Sequence, residues 1–200
     1  DSKAWGPLDG TLLNLSYGYG KIYVVPHEQV QGQMQGGMCE LPLPQFPTGI
    51  MRGRFNPRDQ QLYACGMFAW GSSQEQQGGG FYRIRYTGKP VYLPIGLQAK
   101  RAGVELAFSG LLDPVIAASA DNYAVKVWSL KRTADYGSKH FDEHQVSVSK
   151  ATLSADGKSV HLTIPDLTPT WCMEIKYSLK GKLGEPIEGV IHNTIHSLGD

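Results

Sequence analysis

Charge is scarce in this chain of 200 residues. Only 18% of positions are charged, and 19 lysines and arginines stand against 18 acidic residues for a formal net charge of +1. A dedicated nucleic-acid surface needs a clustered basic face. Here the basic residues are scattered, with Arg52, Arg54, Arg83 and Arg85 on strand-like runs and the lysines mostly near turns. No nucleic-acid partner is expected. No apolar run approaches the ~20 residues a membrane helix requires, so no membrane span is expected either. A signal peptide is missing at Asp1, which suits a mature form or an excised segment.

Cysteine is equally sparse. Cys39, Cys65 and Cys172 are the three present, and none sits in CxxC or CxxCH, so zinc ribbons, thioredoxin-type motifs and covalent haem attachment are excluded. Two readings stay open: a Cys39–Cys65 disulfide leaving Cys172 odd, or three buried thiols. GxSxG is absent, and no Ser or Cys has a recognisable base partner. Gly78-Gly79-Gly80 precedes a strand rather than a helix and is no phosphate cradle. The carboxylates Glu28, Glu40, Asp59, Glu75, Asp113, Asp142 and Glu143 form no spaced pair that suggests one cleft. No residue is nominated as catalytic.

What the chain does have is 24 glycines, 12 prolines and 10 tyrosines, the bias of an all-β protein with many turns. Met51–Pro90 is the clearest stretch. Met51–Phe55 alternates and stops at the turn cluster Asn56-Pro57-Arg58-Asp59; Leu62–Trp70 is a dense apolar run; Phe81–Tyr86 places Phe81, Arg83 and Arg85 on one face and Tyr82, Ile84 and Tyr86 on the other. Alternation bounded by Gly, Asn, Asp and Pro is the strand signature, and short connections make an antiparallel meander. Before it, Leu12–Val25 reads as a hairpin around Gly18-Tyr19-Gly20. The glutamines Gln29, Gln31, Gln33 and Gln35 read as one solvated strand face or as a loop along a ligand.

A domain boundary is placed near residue 90, dividing the chain into 1–90 and 91–200. Beyond it, Gly103–Ser109, Tyr123–Trp128, Val146–Leu153, Ser159–Ile164, Trp171–Leu179 and Glu188–Ile195 read as strands. A turn or a short helical turn is expected within Leu111–Asn122, around Asp113-Pro114 and Asp121-Asn122, with a long polar loop over 129–143 and a hairpin turn at Asp156-Gly157. Strands at such spacing form a β-sandwich.

His140 and His144 would pair on a metal only from a helix, whereas they lie in a polar segment without a third local ligand. His192 and His196 fall about 13 Å apart on a strand, too far for a chelate. His27, Met34, Met38, Cys39, Met51, Cys65 and Met67 are soft donors of the kind that hold Cu(I), although Met in an all-β core is normally packing. No metal site is assigned. The aromatic residues are the strongest positive signal, because flat rings stack on the apolar C–H faces of sugars while amides bond the hydroxyls. The ligand-binding candidates are Trp70 with Gln74 in the Gly/Ser/Gln loop, Tyr82, and Arg83 and Arg85, which could fork onto a carboxylate.

The segments SYGYG, PTGIMRGRFNPRDQQLYACGMFAW and GGGFYRIRYTGKP resemble the closing blades of β-propellers in the secreted glucose/sorbosone dehydrogenase-like quinoprotein class. GVELAFSGLLDPVIAASADNYAV and KATLSADGKSVHLTIPDL resemble bacterial Ig-like domains that follow such propellers, often ahead of a cytochrome c module. The resemblance implies a propeller-derived meander joined to an Ig-like sandwich. Its location would be extracytoplasmic (periplasmic or secreted), and its partners the remaining propeller blades or cytochrome c domains. A propeller needs several four-stranded blades, and residues 1–90 supply at most one and a half. PQQ is therefore expected only where the missing propeller is present, and no cofactor is expected in this chain alone. The expected function is a non-catalytic accessory module that binds polysaccharide or oligosaccharide. The alternatives are a fragment of a PQQ-dependent sugar dehydrogenase-like oxidoreductase, or a structural subunit with open strand edges.

Overall fold

The computed structural model describes residues 2–69 and 77–200. The architecture is all-β and antiparallel, and it divides into two compact units, one comprising 1–25 with 40–91 and the other 26–39 with 92–200. Pro26–Cys39, which falls in the first half by the boundary near residue 90, clusters with the second unit. The reason lies in its pairing and burial, described below.

In the first unit, two 3-10 turns over Lys3–Leu8 bury Trp5 and Leu8. The hairpin follows as β1 (Leu13–Ser16) and β2 (Lys21–Val24), paired from Leu13↔Val24 to Ser16↔Lys21. In the second unit, β3 (His27–Val30) and β4 (Gln33–Glu40) form another hairpin. Its turn is Gln31-Gly32, both at positive φ (51° and 83°), the mirror-image turn whose twist matches the flanking strands. The alternating glutamines are thus the two arms of a hairpin. Gln29 and Gln33 are exposed, while Gln35 is buried. Its amide donates to Glu28 Oε1 (2.7 Å) and Ser197 O (2.8 Å), and accepts from the backbone N–H of His196 (2.9 Å) and Ser197 (3.0 Å). Gln35 is a structural staple rather than a ligand contact.

The three-stranded meander of the first unit is β5 (Gly49–Phe55), β6 (Leu62–Met67) and β7 (Gly79–Ile84), in that order. Its covered face carries Leu62, Ala64 and Ile84, with Phe55 packed edge-on against Trp5 (5.2 Å, 84°). The strand β6 needs glycine at position 66. A Cβ there would stand 2.0 Å from Gly49 O and 2.2 Å from Thr48 Oγ1.

The second unit is a sandwich. Besides β3 and β4 its strands are β8 (Pro94–Lys100), β9 (Gly103–Phe108), β10 (Tyr123–Ser129), β11 (Phe141–Val146), β12 (Lys150–Leu153), β13 (Ser159–Thr163), β14 (Thr170–Lys180) and β15 (Pro186–Ile195). One sheet runs β3-β4-β15-β14-β10-β11, the other β12-β13-β9-β8. Leu97, Val104, Leu106, Phe108, Val160 and Leu162 from the smaller sheet are buried, as are Val125, Met173, Ile175, Tyr177, Leu179, Ile191 and Ile195 from the larger one. Phe108 and Tyr177 meet edge to face (5.4 Å, 88°), a favoured aromatic geometry. The single α-helical turn, α1 (Pro114–Ala117), is capped by Asp113, which accepts from the N–H of Val115 and Ile116 (2.9 and 3.0 Å). Pro26–Cys39 belongs here because β4 pairs with β15 (Ile191↔Cys39, His192↔Met38) and buries Val30, Gln35 and Cys39.

Two differences from the expected strands have one cause. The polar loop expected over 129–143 ends in a strand, β11, and the run Val146–Leu153 splits between β11 and β12. FDEHQV carries almost no apolar periodicity because β11 is an edge strand whose residues are mostly exposed.

Candidate binding surface on the meander

Register, rather than sequence proximity, assembles the site. Residues directly opposite in an antiparallel ladder share a face. Arg54↔Tyr63↔Arg83 and Arg52↔Cys65↔Phe81 form two such rows across β5, β6 and β7. Arg52, Arg54, Cys65, Phe81 and Arg83 are all exposed, Phe81 to 73%. Tyr63 stacks on Phe81 (5.7 Å, 28°) and gives the face an aromatic centre. Met51 and Met67 add exposed apolar surface.

Arginines with matched negative partners form part of a neutral lattice; unmatched ones attract an external anion. Among the described residues no carboxylate lies within ion-pair distance of Arg52, Arg54, Arg83 or Arg85. The Arg83 charge does act on one carboxylate, that of Asp59. The backbone N–H of Gln61 (3.1 Å) and the Tyr63 hydroxyl (2.8 Å) donate to its carboxylate and, with help from the Arg83 charge, hold it below the usual carboxylate range. Asp59 thereby fixes the Tyr63 ring, without coming within ion-pair distance of Arg83. Neighbouring strands lie about 4.8 Å apart and alternate residues on one strand about 6.7 Å apart, so the arginines form a grid suited to several anionic groups at once.

The expected ligand contacts separate. Arg83 lies on this face. Arg85 continues its alternation just beyond β7, where it is exposed and borders an apolar cleft of about 180 Å³ with Trp5, Leu8, Leu41, Ile84 and Tyr86. Tyr82 points to the opposite, covered face. Its hydroxyl is 2.8 Å from Thr48 Oγ1 and its ring packs on Phe46 (4.8 Å), so it supports the sheet. Trp70 and Gln74 lie outside the described residues. Alternation alone does not nominate Arg52, Arg54, Tyr63 or Phe81, because it shows which side of its own strand a residue takes but not what stands opposite.

The other candidate chemistries resolve into structure. None of the three cysteines forms a disulfide. Cys39 is buried, its S–H donates to Pro94 O (3.4 Å), and burial pushes the thiol up to about 12, unsuited to a soft-metal thiolate. His140 pairs with Glu143 and stacks on Trp128 (4.4 Å, 17°), while His192 reaches Glu174 (3.1 Å). His144 Nδ1 faces Asp142 O (2.8 Å). No group of three or more His, Cys, Asp or Glu side chains suited to a metal ion occurs among the described residues. No helix there is long and apolar enough to cross a membrane.

Comparison with protein-family models, with curated proteins and with solved structures finds no match to this chain.

Proposed function

We propose that this chain is a non-catalytic, extracytoplasmic binding module whose ligand is a polysaccharide bearing acidic groups. The observation that carries the reading is the exposed face of β5–β7, where Arg52, Arg54 and Arg83 surround Phe81 with no carboxylate paired to them among the described residues. A guanidinium presents a rigid fork that matches a carboxylate or sulfate in two parallel hydrogen bonds. An exposed aromatic ring offers an apolar platform to the C–H face of the sugar between two such groups. On this reading the module serves a larger secreted, quinoprotein-like protein.

The test is affinity electrophoresis of the whole chain through gels containing polygalacturonate, a sulfated galactan or a neutral glucan, with single-stranded DNA as a competitor. Acidic polysaccharides retard the chain, the neutral glucan does not, and Arg52→Gln with Arg83→Gln together abolishes retardation. Tighter binding to DNA than to either acidic polysaccharide overturns the choice of ligand. Absence of retardation in every gel turns the reading toward a fragment of a sugar dehydrogenase-like oxidoreductase or an assembly subunit.

A further inference from the structure

The second unit contains a cleft that the acidic-glycan reading does not use. It measures about 220 Å³ and is lined by Val127, Val146 and Leu167 on its apolar side and by Trp171, Asp142, His144 and Asp166, with hydroxyls from Ser129, Thr168 and Thr170. The sandwich is deliberately irregular around it. The β10–β11 ladder shifts register between Val127 and Ser129, and the β14–β15 ladder shifts between Thr170 and Met173. Bulges of this kind re-aim side chains out of the regular alternation. Trp171 stands within the second of them, 61% exposed despite its large apolar ring, with His196 packed edge-on at 5.9 Å. Asp142 lies beside the first and adopts the left-handed region at φ 53°, which Asp tolerates better than most residues.

Trp128 lines the same cleft and provides the contrast. His140 stacks on its ring (4.4 Å), and His192 (6.3 Å) and Lys126 (5.4 Å) stand beside it, with Lys126 paired in turn to Glu143 and Glu174. That tryptophan is spent on the sheet's own polar network. Trp171 is not.

The lining contains two carboxylates, one imidazole and no lysine or arginine. Neither Asp142 nor Asp166 takes part in an ion pair among the described residues, although the Ser129 hydroxyl donates to Asp142 Oδ2 (3.3 Å). Unmatched carboxylates beside an exposed indole select a cation, because the ring face and the negative charges attract an ammonium together. The Ser129 and Thr170 hydroxyls donate within the protein, to Phe141 O or Asp142 and to Cys172 O (3.2 Å), and present their acceptor sides; with the apolar floor they suit a pyranose ring. We propose that this cleft binds a sugar carrying a protonated amine, as in a de-N-acetylated amino-sugar oligomer. The site is independent of the arginine face and opposite to it in charge preference.

The test is calorimetric titration of the whole chain with a β-1,4-glucosamine tetrasaccharide and, separately, with its fully N-acetylated counterpart, which has the same ring but no charge. The amine form binds, and acetylation weakens binding by about tenfold or more, the scale of a desolvated cation–π contact. Asp142→Asn, which keeps a residue suited to positive φ, and Trp171→Ala each weaken the amine form by a similar factor. Arg52→Gln with Arg83→Gln leaves it unchanged, which separates this site from the meander. Equal binding of the two oligomers, no binding of either, or full affinity in Trp171→Ala overturns the proposal.

Discussion

The three thiols differ enough in environment to be ranked by reactivity. Cys39 is 2% exposed, and its burial raises the thiol to about 12. At pH 8 such a group is about one part in ten thousand thiolate, whereas an ordinary thiol near 8.5 is about one quarter thiolate, so ionisation alone slows Cys39 roughly two-thousandfold. Cys172 is half-buried and is also raised by burial, to a lesser degree. Cys65 is exposed, between Arg52 and Phe81 in its row. Timed alkylation with iodoacetamide at pH 8, read by mass spectrometry of the cysteine-containing peptides, should modify Cys65 first, Cys172 later and Cys39 only through opening of the sandwich. A bound acidic polysaccharide should slow Cys65 and leave Cys172 unchanged. The reasoning fails if Cys39 reacts within tenfold of Cys65. It fails equally if Cys65 becomes reactive only after reduction, since that outcome means a disulfide.

Three further outcomes follow from packing and charge. Gly66→Ala drives a methyl group into Gly49 O and Thr48 Oγ1; urea denaturation should show the meander destabilised by about 3 kcal/mol or more. Gln35→Leu leaves Glu28 and the backbone groups of His196 and Ser197 without their amide partner, and the sandwich should lose about 3 kcal/mol in the same assay. At Glu174, burial pushes the carboxyl up, but hydrogen bonds from Lys176 and His192 with the Lys126 charge outweigh it and hold the group below its ordinary value. A depressed folded pKa contributes stability above the unfolded value of about 4.3 and loses it as pH falls through the folded one. The stability gap between the native chain and Glu174→Gln should therefore be full at pH 6 and close on acidification below pH 4, as followed by thermal melts. A gap that persists at low pH would show that the effect is steric.

Much of the fold was legible where one side of a strand is buried and the other is wet. Phe81–Tyr86 alternates in sequence, and the structure exposes Phe81 and Arg83 while burying Ile84. Asp156-Gly157 marked its hairpin, with Gly157 at φ 71°, and the Asp113-Pro114 signal became a capped helical turn. Strand β11 was hidden because an exposed edge leaves no apolar period to read. The placement of Pro26–Cys39 was hidden for another reason. Gln33 and Gln35 are the same residue two positions apart, and it is the approach of Glu28, His196 and Ser197 that distinguishes the buried amide from the exposed one.

The basic residues carry the sharpest lesson about sites. Scattering along the chain argues against a basic face only if neighbours in space are neighbours in sequence. In a meander they are not, because each strand contributes one residue to every row. Arg54 and Arg83 flank Tyr63 across two ladders although a turn and a whole strand separate them in the chain. Net charge hides this equally well. A total near +1 is compatible with arginines gathered on one sheet and unmatched carboxylates in a cleft of the other unit. The same holds for tryptophan: Trp128 and Trp171 both lie on sandwich strands, yet a ring of His and Lys occupies the first and a bulge turns the second outward. Composition locates the chemistry a chain possesses, while register and bulges decide which part of it faces a ligand.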